Sequence, residues 1–281
     1  MTILTAPAFA STGEGDPVLL INGLAMTGAG WWRTVPVLAS QSLRVLTFDH
    51  AGVGLNEQAA PRTSVAEMAD DAVAVLDAAG LDRAHVYGIS LGGMVAQEVA
   101  LRHPERVDAL VLGATTPGGW LAARPGSPVV AYFLRIRAMP ADEAVWASVP
   151  YSYSRTTQLD HPERIAHDVA QRLESPVGSA AYAAQTAAGI KHDTSTRLPS
   201  IQAPTLVVHG EEDAVVDLVN ARTLAGRIPE AELQVWPEAG HIYMTDQPEA
   251  DWRIADFLVR HSAGTGAQGG AGKRSAVAHG H

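Results

Sequence analysis

The chain has 281 residues, of which 47% are hydrophobic and 18% are charged, a balance typical of a soluble globular protein. Its formal net charge is −10 and its arginines are scattered, which excludes the clustered basic surface of a nucleic-acid-binding protein. Cysteine is absent, which excludes disulfides, thiolate metal sites and a cysteine nucleophile.

Short runs of strand formers alternate with longer helical patterns along the chain. The predicted strands are Val18–Asn22, Arg44–Asp49, Ala84–Gly88, Val107–Gly113, Thr205–Gly210 and Ala231–Trp236. The predicted helices are Ser64–Ala79, Leu91–Arg102, Asp217–Arg227 and Pro248–His261, and Ser64 with Glu67 forms a capping box at the first of them. This order predicts an α/β fold with a doubly wound, mostly parallel sheet, and a ligand crevice at the carboxyl ends of its strands.

Residues 118–200 interrupt this alternation. The segment is rich in Pro, Ser and Thr and contains no clear strand pattern. Its aromatic residues are Trp120, Tyr132, Phe133, Trp146, Tyr151, Tyr153 and Tyr182. An irregular, aromatic insertion in a sheet protein predicts a helical lid that supplies an apolar pocket. A helical subdomain with a small core of its own is the alternative, and both descriptions can hold together.

The chain is therefore divided into a core domain, residues 1–117 and 201–261, a lid, residues 118–200, and a tail, residues 262–281. The tail is rich in Gly and Ala and is expected to be flexible. The first basic residue is Arg33, so a signal peptide is not expected, and no apolar run is long enough to span a bilayer. We expect a cytoplasmic protein whose partner is a small neutral or apolar molecule, and we expect no nucleic-acid or membrane partner. The oligomeric state is left open, with a homodimer as one alternative.

Residues 88–92, GISLG, match the pattern GxSxG between a β-like run and a helical run. A nucleophile elbow requires this strand–turn–helix setting, because its serine takes a strained backbone conformation and its neighbours must be small. The pattern predicts that Ser90 is a nucleophile and that the N–H of Leu91, at a helix N-terminus, faces a developing oxyanion. A phosphate-binding turn is the alternative, but neither GK[ST] nor GxGxxG spacing is present.

A serine nucleophile requires a histidine as base and an acid that orients it. Carboxylates follow the predicted strand Thr205–Gly210 at Glu211, Glu212, Asp213 and Asp217, whereas the strand Val107–Gly113 is followed by none. We favour Asp213 as the acid, with Glu212 as its rival. Among eleven histidines, His241 lies in a loop after the next strand and is the predicted base, whereas His209 is interpreted as a strand terminus.

Five segments together resemble the α/β-hydrolase fold superfamily, from about Val18 to Arg260. They are VLLINGLAMTGAGWW, FDHAGVGLNE, GISLGGMVAQEVALRHPERVDALVL, PTLVVHGEEDAVV and PEAGHIYMTDQPE. The resemblance implies a triad of Ser90, Asp213 and His241, the N–H of Leu24 as a second oxyanion donor, and a lid inserted after the sixth strand. Two positions depart from the family: Asn22 replaces its usual histidine, and His50-Ala51 replaces xR. We expect altered support around the oxyanion loop and an intact triad.

The resemblance also indicates an activity. Stretches such as DDAVAVLDAAGLDRAHVYG are similar to actinobacterial esterases, including methylesterases that tailor aromatic polyketides, and to enol-lactonases. This implies hydrolysis of a carboxylic ester or lactone of an apolar, ring-bearing molecule. The predicted substrate contacts are Trp120, Tyr132, Phe133, Trp146, Tyr151, Tyr153 and Met94.

The sequence leaves two alternatives to ester hydrolysis. One is hydrolysis of a carbon–carbon bond in a diketone or dienone by the same triad. The other is a triad-bearing fold used for cyclisation or for ligand binding. No cofactor or metal is expected, because neither HExxH nor another paired ligand spacing occurs.

Overall fold

The computed structural model describes residues 7–136 and 139–262, which are built around a seven-stranded sheet. The strands are β1 (Phe9–Thr12), β2 (Asp16–Ile21), β3 (Leu43–Phe48), β4 (Ala84–Ile89), β5 (Val107–Gly113), β6 (Thr205–Gly210) and β7 (Glu232–Trp236). Their order across the sheet is β1-β3-β2-β4-β5-β6-β7. Strand β1 is antiparallel to β3, and the other neighbours are parallel. The predicted mostly parallel α/β fold is confirmed.

Helices connect the strands and cover both faces of the sheet. They are α1 (Thr34–Ser40), α2 (Val65–Ala78), α3 (Leu91–Arg102), α4 (Ser127–Arg135), α5 (Ala141–Ser152), α6 (Arg155–Asp160), α7 (Pro162–Glu174), α8 (Ser179–Lys191), α9 (Leu218–Arg227), α10 (Tyr243–Asp246) and α11 (Glu249–Arg260). The capping box is present: Ser64 Oγ accepts the Glu67 N–H, and the Glu67 carboxylate accepts the Ser64 N–H.

The core lies on both faces of the sheet because successive strand residues point in opposite directions. In β2, Leu19 and Ile21 pack on the side covered by α2, α3 and α9, whereas Val18 and Leu20 pack on the side covered by α1 and α11. All four side chains are fully buried. The strands therefore read as continuous apolar runs, as parallel strands between two helical layers do.

The helices α4 to α8 form an insertion between β5 and β6, called the lid below. Counted within residues 7–136 and 139–262, it follows the fifth strand and not the predicted sixth, because a single strand, β1, precedes β2 there. Inside the lid, Tyr153, Ile165 and Val169 form a small cluster that also contacts Ile242 of the core. The insertion thus has packing of its own and also faces the core domain.

Among the helices of residues 7–136 and 139–262, none combines the length and the apolar character that crossing a bilayer requires.

Candidate active site

Ser90 lies in a sharp turn between β4 and α3. Its φ of +56° and ψ of −118° are outside the regions that side-chain-bearing residues favour, which costs on the order of 1–3 kcal/mol. The surroundings hold the turn in place: the Ser90 N–H donates to Gly113 O at 2.8 Å, and Thr115 Oγ1 donates to Ser90 O at 2.7 Å. Strain of this kind, supported from a neighbouring strand, lifts the serine side chain out of the sheet.

Two glycines are required for this turn because of close backbone contacts. A Cβ at Gly88 would lie 2.1 Å from Gly92 O, and a Cβ at Gly92 would lie 2.1 Å from Ile21 O. Strand β4, helix α3 and strand β2 therefore meet at distances that leave no space for side chains. The physical basis of the GxSxG pattern is this packing.

Asp213 and His241 are joined by a hydrogen bond at the carboxyl ends of β6 and β7. The distance from His241 Nδ1 to Asp213 Oδ2 is 2.8 Å, and both residues are buried. The other oxygen of Asp213 accepts the N–H groups of Val215 and Val216 at 2.8 and 2.9 Å. The carboxylate is thus fixed by the loop that carries it and is aimed at the imidazole.

The charge state of Asp213 follows from these contacts. Burial alone would raise its pKa, but attraction to His241 and hydrogen bonds from His209 and His241 outweigh burial and lower the pKa to about 2. Asp213 is therefore ionised at neutral pH and accepts the Nδ1–H of His241. This leaves Nε2 of His241 with its lone pair free.

His209 also contacts Asp213, which the interpretation of His209 as a strand terminus missed. Its Nε2 lies 3.2 Å from Asp213 Oδ2 and 2.8 Å from Val216 O. Both neighbours are acceptors, so this nitrogen carries the proton. The spacing of four residues between His209 and Asp213 is the only sequence signal for this contact.

Ser90 and His241 line the same cavity of about 110 Å³ between the sheet and the lid. Of the predicted substrate contacts, Tyr132, Phe133 and Tyr153 line it as well, together with Leu24 of the loop after β2. The Ser90 hydroxyl makes no hydrogen bond to another residue of the described chain. Such contacts are often long in unliganded sites and tighten when substrate binds.

Four of the predicted substrate contacts lie outside this cavity. Trp120 and Trp146 are 71% and 51% exposed, because a 3-10 turn and an outer face of α5 direct them to solvent. The Tyr151 ring instead packs on Tyr132, with centroids 5.2 Å apart. Met94 packs against the main core below α8.

The predicted oxyanion donors lie at the ends of β2 and β4. Leu91 is the first residue of α3, and Leu24 is in the loop after β2. Within the described residues, neither backbone N–H donates to a protein acceptor. Both donors are therefore available to a ligand oxygen.

The two departures from the family pattern lie against each other behind this loop. Asn22 Nδ2 donates to Phe48 O at 2.8 Å, and His50 Nε2 lies 3.0 Å from Asn22 O, so this nitrogen of His50 is the donor. Burial lowers the pKa of His50, which keeps the ring neutral. His50 and Asn22 together support the loop that carries Leu24.

Polar side chains from the lid also line the cavity, and these were not predicted from the sequence. Asp168 of α7 accepts hydrogen bonds from Trp32 Nε1 at 3.0 Å, Tyr153 OH at 3.2 Å and Thr245 Oγ1 at 2.5 Å. The Trp32 ring stacks on His167, with centroids 3.9 Å apart. Helix α7 is thereby attached to both the loop before α1 and helix α10, which follows His241.

Within residues 7–136 and 139–262, no three His, Asp or Glu side chains converge in a geometry that would hold a metal ion.

Comparison with known proteins gives the chain a clear set of relatives. Residues 16–248 match the model of the alpha/beta hydrolase fold family. A protein of Variovorax paradoxus named carbamate hydrolase RutD is 31% identical over 256 residues, with 89% of this chain and 94% of that protein covered. The 2-hydroxymuconate semialdehyde hydrolase of Pseudomonas putida is 31% identical over 271 residues, with 89% and 90% covered.

A solved structure is similar over the same extent. Est816, described as an N-acyl homoserine lactone degrading enzyme, superposes with a TM-score of 0.77 at 33% identity, with 89% of this chain and 96% of that chain covered. Each of the three proteins aligns with 89% of this chain, but they are named for different substrates.

Proposed function

The chain belongs to the α/β hydrolase fold family, and we propose that it is a serine hydrolase that cleaves a carboxylic ester or lactone of a mainly apolar small molecule through an acyl-enzyme. The observation that carries the proposal is the 2.8 Å hydrogen bond between Asp213 and His241, at a cavity that His241 shares with the strained Ser90. This arrangement contains a nucleophile, a base and an orienting acid.

In the first step, Ser90 Oγ attacks the acyl carbon while His241 Nε2 removes its proton. A free serine hydroxyl is a weak nucleophile, so the base is essential. Asp213 keeps the proton of the neutral ring on Nδ1, and its charge stabilises the imidazolium that forms. The imidazolium then donates its Nε2 proton to the leaving alcohol, and the acyl group remains on Ser90.

The tetrahedral intermediate requires stabilisation of its oxygen. The N–H groups of Leu24 and Leu91 would donate to that oxygen, and loss of one such donor raises the barrier by about 3–4 kcal/mol in related chemistry. Water then enters, loses a proton to His241 and releases the acid. The second tetrahedral intermediate uses the same two donors, and Ser90 is regenerated.

The cavity walls support a substrate with an apolar body. Tyr132 and Phe133 of the lid and Ile89 of the core line the same cavity as Ser90. Aromatic and aliphatic walls with a few polar groups are typical of small-molecule sites. The likeness to an N-acyl homoserine lactone degrading enzyme favours esters and lactones among the acyl compounds.

A second candidate is hydrolysis of a carbon–carbon bond in a diketone or dienone by the same residues. The observation that favours it is the 31% identity to a hydrolase whose named substrate, 2-hydroxymuconate semialdehyde, is a conjugated dienol acid and not an ester. Ser90 and His241 would keep their roles, and the leaving group would be a carbanion equivalent in place of an alcohol.

Turnover of a panel of methyl esters, lactones and diketones by the wild type and Ser90→Ala distinguishes these candidates. The proposal expects ester or lactone turnover with a burst on p-nitrophenyl acetate, and no burst in Ser90→Ala. Diketone cleavage with a higher kcat/KM than any ester or lactone would favour the second candidate. A burst that persists in Ser90→Ala would contradict both.

A further inference from the structure

The cavity that contains Ser90 and His241 is also lined by two arginines, Arg33 and Arg172. The Nε atom of each is fully buried and has no hydrogen-bond partner. Neither guanidinium has a carboxylate within 4.0 Å among the described residues. Among the described residues, the partly buried Arg62, Arg106 and Arg197 each pair with a carboxylate, as Arg62 does with Asp71 at 2.8 Å. Arg33 and Arg172 lack such a protein anion.

Of the two, Arg172 is the one whose charge has no aromatic partner among the described residues. Its only hydrogen bond within the described residues goes to Ser148 Oγ at 3.3 Å, although a guanidinium has five N–H donors. Arg33 lies over the Trp32 ring, with its Cζ 4.1 Å from the centroid, so part of its charge is stabilised by the ring. The donors of Arg172 have no comparable partner.

Asp168, the carboxylate in the cavity lining, does not form an ion pair with Arg172. Asp168 lies one helical turn before Arg172 in α7 but more than 4.0 Å from its guanidinium. Its two oxygens are already occupied by Trp32, Tyr153 and Thr245. Apart from His241, the charged side chains in the described lining are two arginines and one aspartate, which together carry a net charge of +1.

Arg172 also has a defined position relative to a second cavity. This cavity, of about 280 Å³, lies between residues of the lid and Ala25 of the core, and it shares Tyr132 and Arg172 with the first. Arg172 therefore lies where the two cavities meet. A substrate whose acyl carbon is at Ser90 would place a more distant part of its acyl chain beside this guanidinium.

Arg172 is partly buried, and its buried Nε has no hydrogen-bond partner within the described residues. Such an unpaired donor is costly, and a planar carboxylate is the anion that a guanidinium fork binds in a bidentate manner. We propose that the substrate carries a carboxylate on its acyl chain, remote from the bond that is cleaved, and that Arg172 binds this carboxylate. The inference rests on the proposed ester or lactone hydrolysis and names its substrate class: monoanionic esters or lactones, such as a half ester of a dicarboxylic acid. A dianionic group is disfavoured because the lining has one net positive charge.

The test compares mono(4-nitrophenyl) adipate with 4-nitrophenyl hexanoate. The acyl chain of the first ends in a carboxylate, and that of the second ends in a methyl group. The wild type is expected to prefer the adipate by about 10- to 100-fold in kcat/KM, the range for a hydrogen bond to a charged group. Arg172→Gln should reduce this ratio to about one. Arg172→Lys, which keeps the charge without the planar fork, should retain part of the ratio.

The matched control is Arg155→Gln, which removes the same charge from an exposed position of the lid, where the Arg155 side chain makes no hydrogen bond or ion pair within residues 7–136 and 139–262. This variant should retain the wild-type ratio. Equal kcat/KM for the two esters in the wild type would overturn the proposal. So would a ratio that survives in Arg172→Gln or that falls equally in Arg155→Gln.

A binding measurement separates this proposal from the proposed hydrolysis. If the wild type turns over neither ester, the proposed hydrolysis is wrong. Binding to Ser90→Ala, measured by calorimetry, then tests separately whether Arg172 binds a carboxylate. Monomethyl adipate that binds at least about tenfold more tightly than methyl hexanoate supports the arginine site. Equal affinities, or no binding of either compound, overturn it.

Discussion

The side-chain oxygen of Gln185 in α8 accepts the backbone N–H of Ala25 at 3.0 Å, which attaches a lid helix to the loop after β2. Gln185 is 2% exposed, and Ala25 has a φ of +56°, a conformation that a residue other than glycine adopts only with support. Leu24, the proposed oxyanion donor, directly precedes Ala25. The lid thereby helps to fix the loop on which the oxyanion site depends.

Gln185→Ala tests this coupling. Loss of the hydrogen bond leaves the partly buried Ala25 N–H without its protein partner, so we expect kcat to fall by about three- to tenfold, with KM changed less. Steady-state kinetics on one neutral ester measures both constants. Lys191→Ala, an exposed change on the same helix, is the control. A fall in KM alone, or an equal effect in the control, would argue against the coupling.

Asp213→Asn tests the orientation of His241. An amide at this position donates to Nδ1, so the imidazole would carry its proton on Nε2 and could not act as a base. We expect a loss of about 10³- to 10⁴-fold in kcat with the fold retained, as measured by turnover and circular dichroism. Glu212→Gln is the matched control, because the Glu212 carboxylate accepts the Arg155 N–H on the exposed side of the loop. Near wild-type turnover in Asp213→Asn would move the acid role elsewhere.

Asp251 in α11 is expected to make stability depend on pH. Burial raises its pKa to about 7, although the Thr34 hydroxyl and the charge of Arg33 act in the opposite direction. In the unfolded chain the pKa is about 3.9, so between about pH 4 and 7 the folded state holds a proton that the unfolded state has lost. Stability from this group is therefore fully present below about pH 4 and is lost as the pH rises to 7.

Asp251→Asn should remove this dependence, because the amide oxygen still accepts the Thr34 hydroxyl and carries no charge. Urea unfolding at pH 4.5 and pH 8 measures the free energy of unfolding. Relative to the wild type, the variant should gain a few kcal/mol between the two pH values. Asp256→Asn, an exposed change on the same helix, should show no such gain. A variant that follows the wild type across this range would refute the assignment.

Local patterns were sufficient to predict six of the seven strands of the described sheet and the helices α2, α3, α9 and α11, but not α1 or α10. Helix α2 is marked by its capping box. The turn at Ser90 is marked by glycines at positions where a Cβ atom would collide with backbone atoms. Strand β1 was missed because its four residues form an exposed edge, with only part of Phe9 packed on the core. Such a strand lacks the apolar run that identifies a central strand.

The side chains that shape the cavity could not be predicted in the same way. Gln185 contacts a residue 160 positions earlier, and Asp168 contacts Trp32, 136 positions earlier. Their roles depend on how the lid packs on the core, which no local pattern encodes. The same reason explains why aromatic composition alone placed Trp120 and Trp146 at the substrate although both are exposed.

The measurement that tests the account most directly is covalent labelling of Ser90 by a fluorophosphonate, followed by intact and peptide mass spectrometry. The account predicts one label per chain, located on Ser90, that forms much more slowly in His241→Ala and is absent in Ser90→Ala. A wild-type protein that remains unlabelled while it binds small esters, or a label that persists in Ser90→Ala, would contradict it.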